Sequence, residues 1–250
     1  MGIIVFMSNS PESRMDLLTR KQNPGFGFAG NEAKFNKTGK VAMQVAAAFH
    51  GLSGQIEGVL FEKGVVQNRF LSEDNGSALV VIDGNGKPSI RNIREFLSSN
   101  SKKLSFFDEA EKKKWSMFQQ RLVVDNGNPA DIGKFKFKDS SFYCLRFLVE
   151  MQGRDGASSY GIVSFEKNIS LDDAMKVLMN LKIGPGGKPA SIKNAVYLDS
   201  GSVGKGFVYY GYGTKRLTGA GDFDDSHFSN MIVLHSEQGK KDGFFEPVKK

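Results

Sequence analysis

The chain predicts an α+β fold: a single domain over residues 1–250, built on a many-stranded, mixed but mostly antiparallel sheet with flanking helices. Three observations lead there. Short β-branched or aromatic runs recur between Gly, Asn and Asp residues, the pattern of strands joined by turns. Glycine supplies 29 of the 250 residues while proline supplies only 7, an excess over the usual ~7% that reads as turns and bulges rather than low complexity. Strong helical periodicity is confined to one segment, and no repeat or linker divides the chain.

Taken in order, the expected strands are Ile3–Met7, Gly58–Phe61, Ala78–Ile82, Leu122–Val124, Phe142–Glu150, Gly161–Phe165, Ala195–Leu198, Phe207–Tyr210 and Met231–His235. Val41–Phe49 has alanines that favour helix, but Val41, Met43, Val45, Ala47 and Phe49 alternate, so it is assigned as a strand. Asp83-Gly84-Asn85-Gly86 and Gly153-Arg154-Asp155-Gly156 have the composition of hairpin turns that need a positive φ. The clear helix starts after Ser170, a capping residue, with Asp172 and Asp173 in its first turn and Leu171, Ala174, Met175, Leu178 and Leu181 on one face. Gly184-Pro185-Gly186-Gly187 ends it. Asn92–Ser98 and Asp108–Gln119 are weaker helical candidates. Residues 98–114 form a polar, lysine-rich stretch, either a surface excursion or a helical insertion.

No apolar run approaches the roughly 18 to 20 residues of a membrane-spanning helix, so no membrane partner is expected. The first residues have no secretory-signal pattern, which leaves the compartment open, cytoplasmic unless a leader segment has been trimmed away. One cysteine, Cys144, excludes an internal disulfide framework and a cysteine-based zinc cluster; its flanks Tyr143 and Leu145 suggest a buried strand thiol. The formal charge of +7 is modest. Its concentrations at Lys112–Lys114 and at Lys249 and Lys250 read as solvated lysines, without the motif or interleaved aromatics of a nucleic-acid binder.

The most informative stretch is Asn194-Ala195-Val196-Tyr197-Leu198-Asp199-Ser200-Gly201-Ser202-Val203. An apolar strand ends in an aspartate beside small hydroxyl residues and a glycine. That arrangement either presents a carboxylate where a ligand can come close or forms an ordinary turn bonded to its own backbone.

The order of features around this stretch resembles the phosphodiester glycosidase family, whose members include an N-acetylglucosaminidase acting on a sugar phosphodiester. The matching series reads Cys144-Leu145-Arg146-Phe147, Arg154-Asp155-Gly156, Ile162–Phe165, Ser170-Leu171-Asp172-Asp173-Ala174 through Leu181, and Leu198-Asp199-Ser200-Gly201-Ser202. Ser229–His235 is similar to the family's closing strand. Val45-Ala46-Ala47-Ala48-Phe49-His50 stands where the family has an A-x-N-G-G-F-F-like segment, and Gly58–Lys63, Leu79–Lys87 and Arg121–Gly127 match strands between. Residues 40–236 are covered. Ala46 stands in place of the family's asparagine, Ala48 in place of a glycine, His50 in place of its second phenylalanine, and Ser200 in place of a glycine of L-D-G-G-G-S.

The resemblance implies hydrolysis of a glycosidic bond to phosphate in a small anionic sugar-phosphate ligand or glycan; no cofactor and no metal-ligand set is read from the residues, and metal dependence stays open. The altered first motif instead favours a non-catalytic binder of an anionic glycan or nucleotide-like ligand on the same scaffold. Arg146 is the expected phosphate clamp, because its planar donors fit two phosphate oxygens; the alternative is an inward arginine paired with Asp199 or Glu150. Asp199 is the expected base or sugar-stabilising carboxylate, with Glu57, Asp125 and Asp222 competing for the second acid. His50 either orients substrate or is structural. Ser200, Gly201, Ser202, Lys205 and Asn126 are the expected substrate contacts. Gly204-Lys205-Gly206 and Gly211–Arg216 are possible phosphate loops, and Tyr209, Tyr210 and Tyr212 stack on a sugar or serve as strand aromatics. His227 and His235 with His50 make a poor zinc set, and Asp222-Phe223-Asp224-Asp225 reads as a solvated loop rather than a calcium site.

Overall fold

The computed structural model describes residues 2–6, 13–27, 41–48, 56–71, 76–95, 100–131, 145–165, 167, 169–182, 184, 188–198, 206–210, 213–217 and 229–235. In chain order the strands are β1 (Gly2–Phe6), β2 (Arg14–Thr19), β3 (Val41–Ala46), β4 (Leu60–Glu62), β5 (Val65–Asn68), β6 (Ala78–Ile82), β7 (Pro88–Asn92) and β8 (Ser116–Asp125). They continue as β9 (Asn128–Pro129), β10 (Arg146–Gly153), β11 (Ser158–Phe165), β12 (Ala190–Tyr197), β13 (Gly206–Tyr210), β14 (Gly213–Leu217) and β15 (Asn230–His235). Two helices are described, α1 (Asn100–Lys112) and α2 (Leu171–Asn180). Neither is long and apolar enough to cross a membrane.

The strands form two sheets rather than one. The larger runs β1-β11-β10-β12-β8-β4-β5, with β6, β7 and β9 also joined through β8; the smaller runs β14-β13-β3-β15-β2. Every ladder among the described residues is antiparallel. Inward side chains of both sheets share one apolar cluster: Met15, Leu17, Met43, Val45, Ile232 and Leu234 meet Leu60, Val80, Phe118, Leu148, Ile162, Val196 and Leu198. At about 1.5–3 kcal/mol for each large side chain buried, this cluster is the main force holding the sheets together.

Alternation then decides what faces outward. On β10, Leu148 joins the inter-sheet cluster, whereas Phe147, Val149 and Met151 turn to the opposite face and pack with Leu171, Ala174 and Leu178 of α2. The α2 face is the one its spacing predicts, and Ser170 caps it through the Asp173 amide at 3.1 Å. Both expected hairpins form. In the first, Asp83 Oδ1 accepts from the Asn85 and Lys87 amides, each at 2.8 Å. Gly86 there adopts φ +75°, and its carbonyl accepts from the Met15 amide at 2.8 Å, docking the hairpin on β2. A Cβ at Gly86 would stand 2.5 Å from that of Arg14, so conformation and space both call for glycine.

Several expectations are corrected. The helix expected over Asp108–Gln119 is displaced: α1 spans Asn100–Lys112, Lys114 turns with φ +55°, and β8 begins at Ser116. The anchor is the apolar trio Phe106, Phe107 and Ala110, which packs against Phe61, Leu79, Val81 and Met117, so the lysine-rich stretch contains a helix fixed to the sheet. Lys112–Lys114 are exposed, and Lys113 pairs with Glu109 at 2.6 Å. Asn92–Ser98 contributes only a 3₁₀ turn at Ile93–Glu95, its last residues lying outside the described set. Leu122–Val124 is the tail of a ten-residue strand, and β2, β5, β9 and β14 are strands where none was expected.

Candidate functional site

Strand β8 is the hub of the site because its two halves have different neighbours. Its first half pairs with β4 and β6, its second with β12 and β9. The changeover falls at Gln119-Gln120-Arg121, three polar residues that are all buried. Gln119 ties down the segment before β4: its amide donates to the Val59 carbonyl at 2.9 Å and its Oε1 accepts from the Val59 amide at 3.2 Å. Gly58, at φ +90°, leaves no room for a Cβ against that glutamine, with the Oε1 atom 2.5 Å away. Gln120 reaches across to the smaller sheet and donates to the Ala47 carbonyl just beyond β3. Arg121 pairs in register with Tyr197 at the end of β12.

One strand further, Phe147 pairs with Tyr197, and the Leu198 amide donates to the Arg146 carbonyl at 2.9 Å. Arg146 in turn stands opposite Ser164 on β11. A row therefore crosses the larger sheet at one end, Ser164, Arg146, Leu198 and then Gln120, on the face turned toward the smaller sheet. Arg146 is 0% exposed in this row. The end of β3 is fixed at the same place from the other side: the Ala48 amide donates to Asn230 Oδ1 at 2.6 Å, and Asn230 Nδ2 donates back to the Ala48 carbonyl at 3.3 Å. Ala48 is followed in the chain by Phe49 and His50, and Leu198 by Asp199.

His50, Asp199, Ser200, Gly201, Ser202 and Lys205 themselves lie outside the described residues, as do Cys144, Tyr212, Asp222–Asp225 and His227. Of the rest, Glu57 is half-buried immediately before Gly58, next to the Gln119 anchor. Asp125 and Asn126 belong to a different group. Asp125 accepts from Asn92 Nδ2 at 2.9 Å and from Asn126 Nδ2 at 3.0 Å. The Asn126 amide donates to Asn194 Oδ1 at 3.0 Å, and Asn194 Nδ2 donates to buried Glu150 at 2.8 Å. Asn194 pairs with Glu150, four positions along β10 from Arg146, which is about 13 Å at ~3.3 Å per residue. The structure thus joins Asp125 to Asn126 and separates both from Arg146.

Glu150, considered as a partner for Arg146, is instead bonded by Asn194, by Lys193 at 3.2 Å and by Ser158 at 3.3 Å. Burial, together with the charge of Glu150 across the ladder, holds the Tyr160 hydroxyl far above its ordinary pKa, Arg91 opposing weakly. That tyrosine stays protonated at working pH. His235 lies on β15 as expected, 2.9 Å from Asp16. Tyr209 and Tyr210 are on β13, and Lys215 and Arg216 on β14. Among the described residues no three His, Cys, Asp or Glu side chains gather as a metal-binding group. A cleft of about 490 Å³ opens beyond the other end of β10, lined by Arg154, Gly156, Lys182 and Ser191 among others; none of the expected site residues lines it.

Gln119, Gln120, Ser164 and Asn230 carry much of this geometry and were not singled out from the sequence. A signal existed for two of them, since consecutive glutamines inside an otherwise apolar run need internal partners if the run is a buried strand.

No family model matches the chain, and no curated protein matches it. Solved structures do resemble it. One is the zebrafish N-acetylglucosamine-1-phosphodiester alpha-N-acetylglucosaminidase catalytic domain, auto-inhibited by its pro-peptide. It is 12% identical with a TM-score of 0.51, over 94% of this chain and 83% of that one. Another is a hypothetical protein from Synechocystis, 13% identical with a TM-score of 0.53, over 94% of this chain and 59% of that one. At such identities the likeness shows a distant relationship of fold.

Proposed function

We propose that this chain hydrolyses the glycosidic bond of a sugar phosphodiester. The observation that carries the reading is the buried row through Arg146, which passes through Leu198, the residue before Asp199. An arginine enclosed in an apolar sheet keeps its charge and requires oxygen acceptors. In this reading its paired donors hold the phosphate, which leaves the anomeric carbon with the bond electrons while water adds to that carbon and gives up one proton to the Asp199 carboxylate. Asp199 serves the developing positive charge at the sugar, and Glu57, anchored beside Gln119, is the second acid in preference to Asp125. Phosphate is a good leaving group, so its protonation contributes little. The distant likeness to the zebrafish glycosidase domain agrees with this chemistry.

The test is release of free sugar from methyl N-acetylglucosamine-1-phosphodiester. The unaltered chain is expected to turn it over, Asp199→Asn to bind it without turnover, and Arg146→Lys to lose about a hundredfold in kcat/KM, the order of effect of removing one preorganised donor. Full activity in either variant overturns the assigned roles. A second reading, binding without turnover, is favoured by Ala46 and Ala48 in the first motif. It predicts thermal stabilisation by the same compound with no sugar released.

A further inference from the structure

We propose that the cleft beyond the far end of β10 is a second ligand site and takes a sugar phosphomonoester, Arg154 and Lys182 holding the phosphate while Gln152 and Ser191 bond the sugar hydroxyls. It goes beyond the hydrolytic reading and does not depend on it. Gln152 lies six positions along β10 from Arg146, about 20 Å at ~3.3 Å per residue.

The backbone brings the two cations to one place. Arg154 sits in the turn joining β10 to β11, where the Gly156 amide donates to the Gly153 carbonyl at 3.0 Å and Gly156 adopts φ +79°. Lys182 follows α2, and there the chain folds back on itself: the Gly184 amide donates to the Lys188 carbonyl at 2.8 Å, and the Ala190 amide to the Lys182 carbonyl at 3.4 Å. Ala190 in turn opposes Gly153 on β10. The start of β12 is therefore flanked by the Arg154 turn on one side and by Lys182 on the other. Gln152 and Ser191 are the next opposed pair, so their side chains leave one face of the sheet. These four residues, with others, line a cleft of about 490 Å³, the size of a small-molecule site.

Charge then selects the ligand. Elsewhere Arg69 pairs with Asp108 and Glu111, Arg94 with Asp131, Lys176 with Asp173 and Lys193 with Glu150. Arg154 and Lys182 enter no ion pair among the described residues, and no acidic side chain lines the cleft. The acids nearest in sequence are engaged: Asp155 Oδ1 accepts from the Ala157 amide at 3.0 Å, and Glu150 from Lys193 and Asn194. Lys182 Nζ gives one of its three donors to the Met179 carbonyl at 3.3 Å, which leaves two for a ligand. Two cations facing one cleft repel each other unless an anion stands between them. A phosphomonoester offers three terminal oxygens, enough for the guanidinium fork and the ammonium together. The Gln152 amide and the Ser191 hydroxyl both donate and accept, as sugar hydroxyls do. No aromatic ring lines the cleft, so a nucleobase would find nothing to stack on.

The experiment is calorimetric titration of the whole chain with glucose 6-phosphate, and separately with inorganic phosphate and with glucose. Glucose 6-phosphate is expected to bind saturably, about tenfold tighter than inorganic phosphate, the worth of two hydrogen bonds to the sugar; glucose alone is expected not to bind. Arg154→Ala and Lys182→Ala should each raise the dissociation constant about fivefold, the effect of one exposed charge pair. Both side chains are exposed, so the unfolding midpoints should match that of the unaltered chain. Lys112→Gln removes the same charge from the exposed end of α1 and should leave the affinity unchanged. Absence of saturable binding overturns the site, as does equal weakening in all three variants, which would mean general attraction to a basic protein. Unchanged affinity in Arg154→Ala and Lys182→Ala places the phosphate elsewhere and overturns it too. Inorganic phosphate binding as tightly as the sugar phosphate overturns the sugar half, and glucose binding as tightly overturns the cationic half. Turnover of the sugar diester has no part in these outcomes, so the hydrolytic reading and this site fail separately.

Discussion

Asp16 and His235 lie on adjacent strands, β2 and β15, and their side chains meet at 2.9 Å, with Arg14 3.4 Å from the same carboxylate oxygen. Burial pushes the Asp16 carboxyl up, but the hydrogen bond and charge of His235, with Lys63 and Arg14, outweigh it and leave the group below its ordinary value. The folded chain therefore binds a proton at Asp16 less readily than the unfolded chain. This contribution is complete above the unfolded value of about 3.9 and is lost as pH falls through the lower folded value. We expect urea unfolding between pH 6 and pH 2.5 to show stability declining below about pH 4, and Asp16→Asn to make that decline shallower. An unchanged acid limb in the variant would show that Asp16 is not one of its sources. His235 was assigned to the closing strand from sequence, but Asp16 was not singled out, because an acid in a stretch that did not read as a strand gives no hint of its partner.

α2 is the element whose start and apolar face were legible in sequence, while it ends at Asn180 with Leu181 extended, before the expected glycine-proline stop, whose residues 185–187 lie outside the described set. Ser170 Oγ accepts from the Asp173 amide and donates to the Asp173 carboxylate at 2.8 Å, a serine N-cap whose hydroxyl proton is taken by the acid of the first turn. Ser170→Ala should cost about 1 kcal/mol in urea denaturation and Ser170→Gly only a few tenths more than the native serine; equal midpoints for all three proteins would mean that tertiary packing alone sets the start of α2. β8 shows why other elements were misread. Ser116, Gln119, Gln120 and Arg121 break its apolar pattern, yet they are buried because backbone groups of other segments meet them: the Lys63 amide at Ser116, the Gly76 carbonyl at Gln119 and the Ala47 carbonyl at Gln120. Those partners lie more than forty positions away, outside the reach of local periodicity. β2 and β5 were missed for a simpler reason. Each is short, and Arg14, Asp16 and Gln67 dilute its apolar signal.

At the scale of the whole molecule, the sequence foretold the α+β class and the antiparallel habit, but not the division into two sheets, since strand pairing is decided by contacts distant in the chain. The same holds for the candidate site. Arg146 and the strand ending before Asp199 were legible, whereas the Gln120 and Asn230 bonds that bring the end of β3 to the same row were not. One further bond set joins the sheets. Glu62 on β4, 3% exposed, accepts from the Thr19 amide at 2.9 Å, from the Thr19 hydroxyl at 2.6 Å and from Asn23 Nδ2 at 2.9 Å, and so fastens the larger sheet to β2 of the smaller. With this latch and a shared core, the sheets should unfold together. Trp115, the chain's one tryptophan, contacts Phe106 of α1 at 6.0 Å between ring centroids and reports on the larger sheet, while far-ultraviolet circular dichroism reports on both. Coincident urea transitions are therefore expected from the two signals. Glu62→Ala leaves three donors without their acceptor and should lower stability by about 3 kcal/mol, moving both transitions together. If the tryptophan transition stayed in place while the dichroism divided into two steps, the sheets would be independent units and the latch a local bond only.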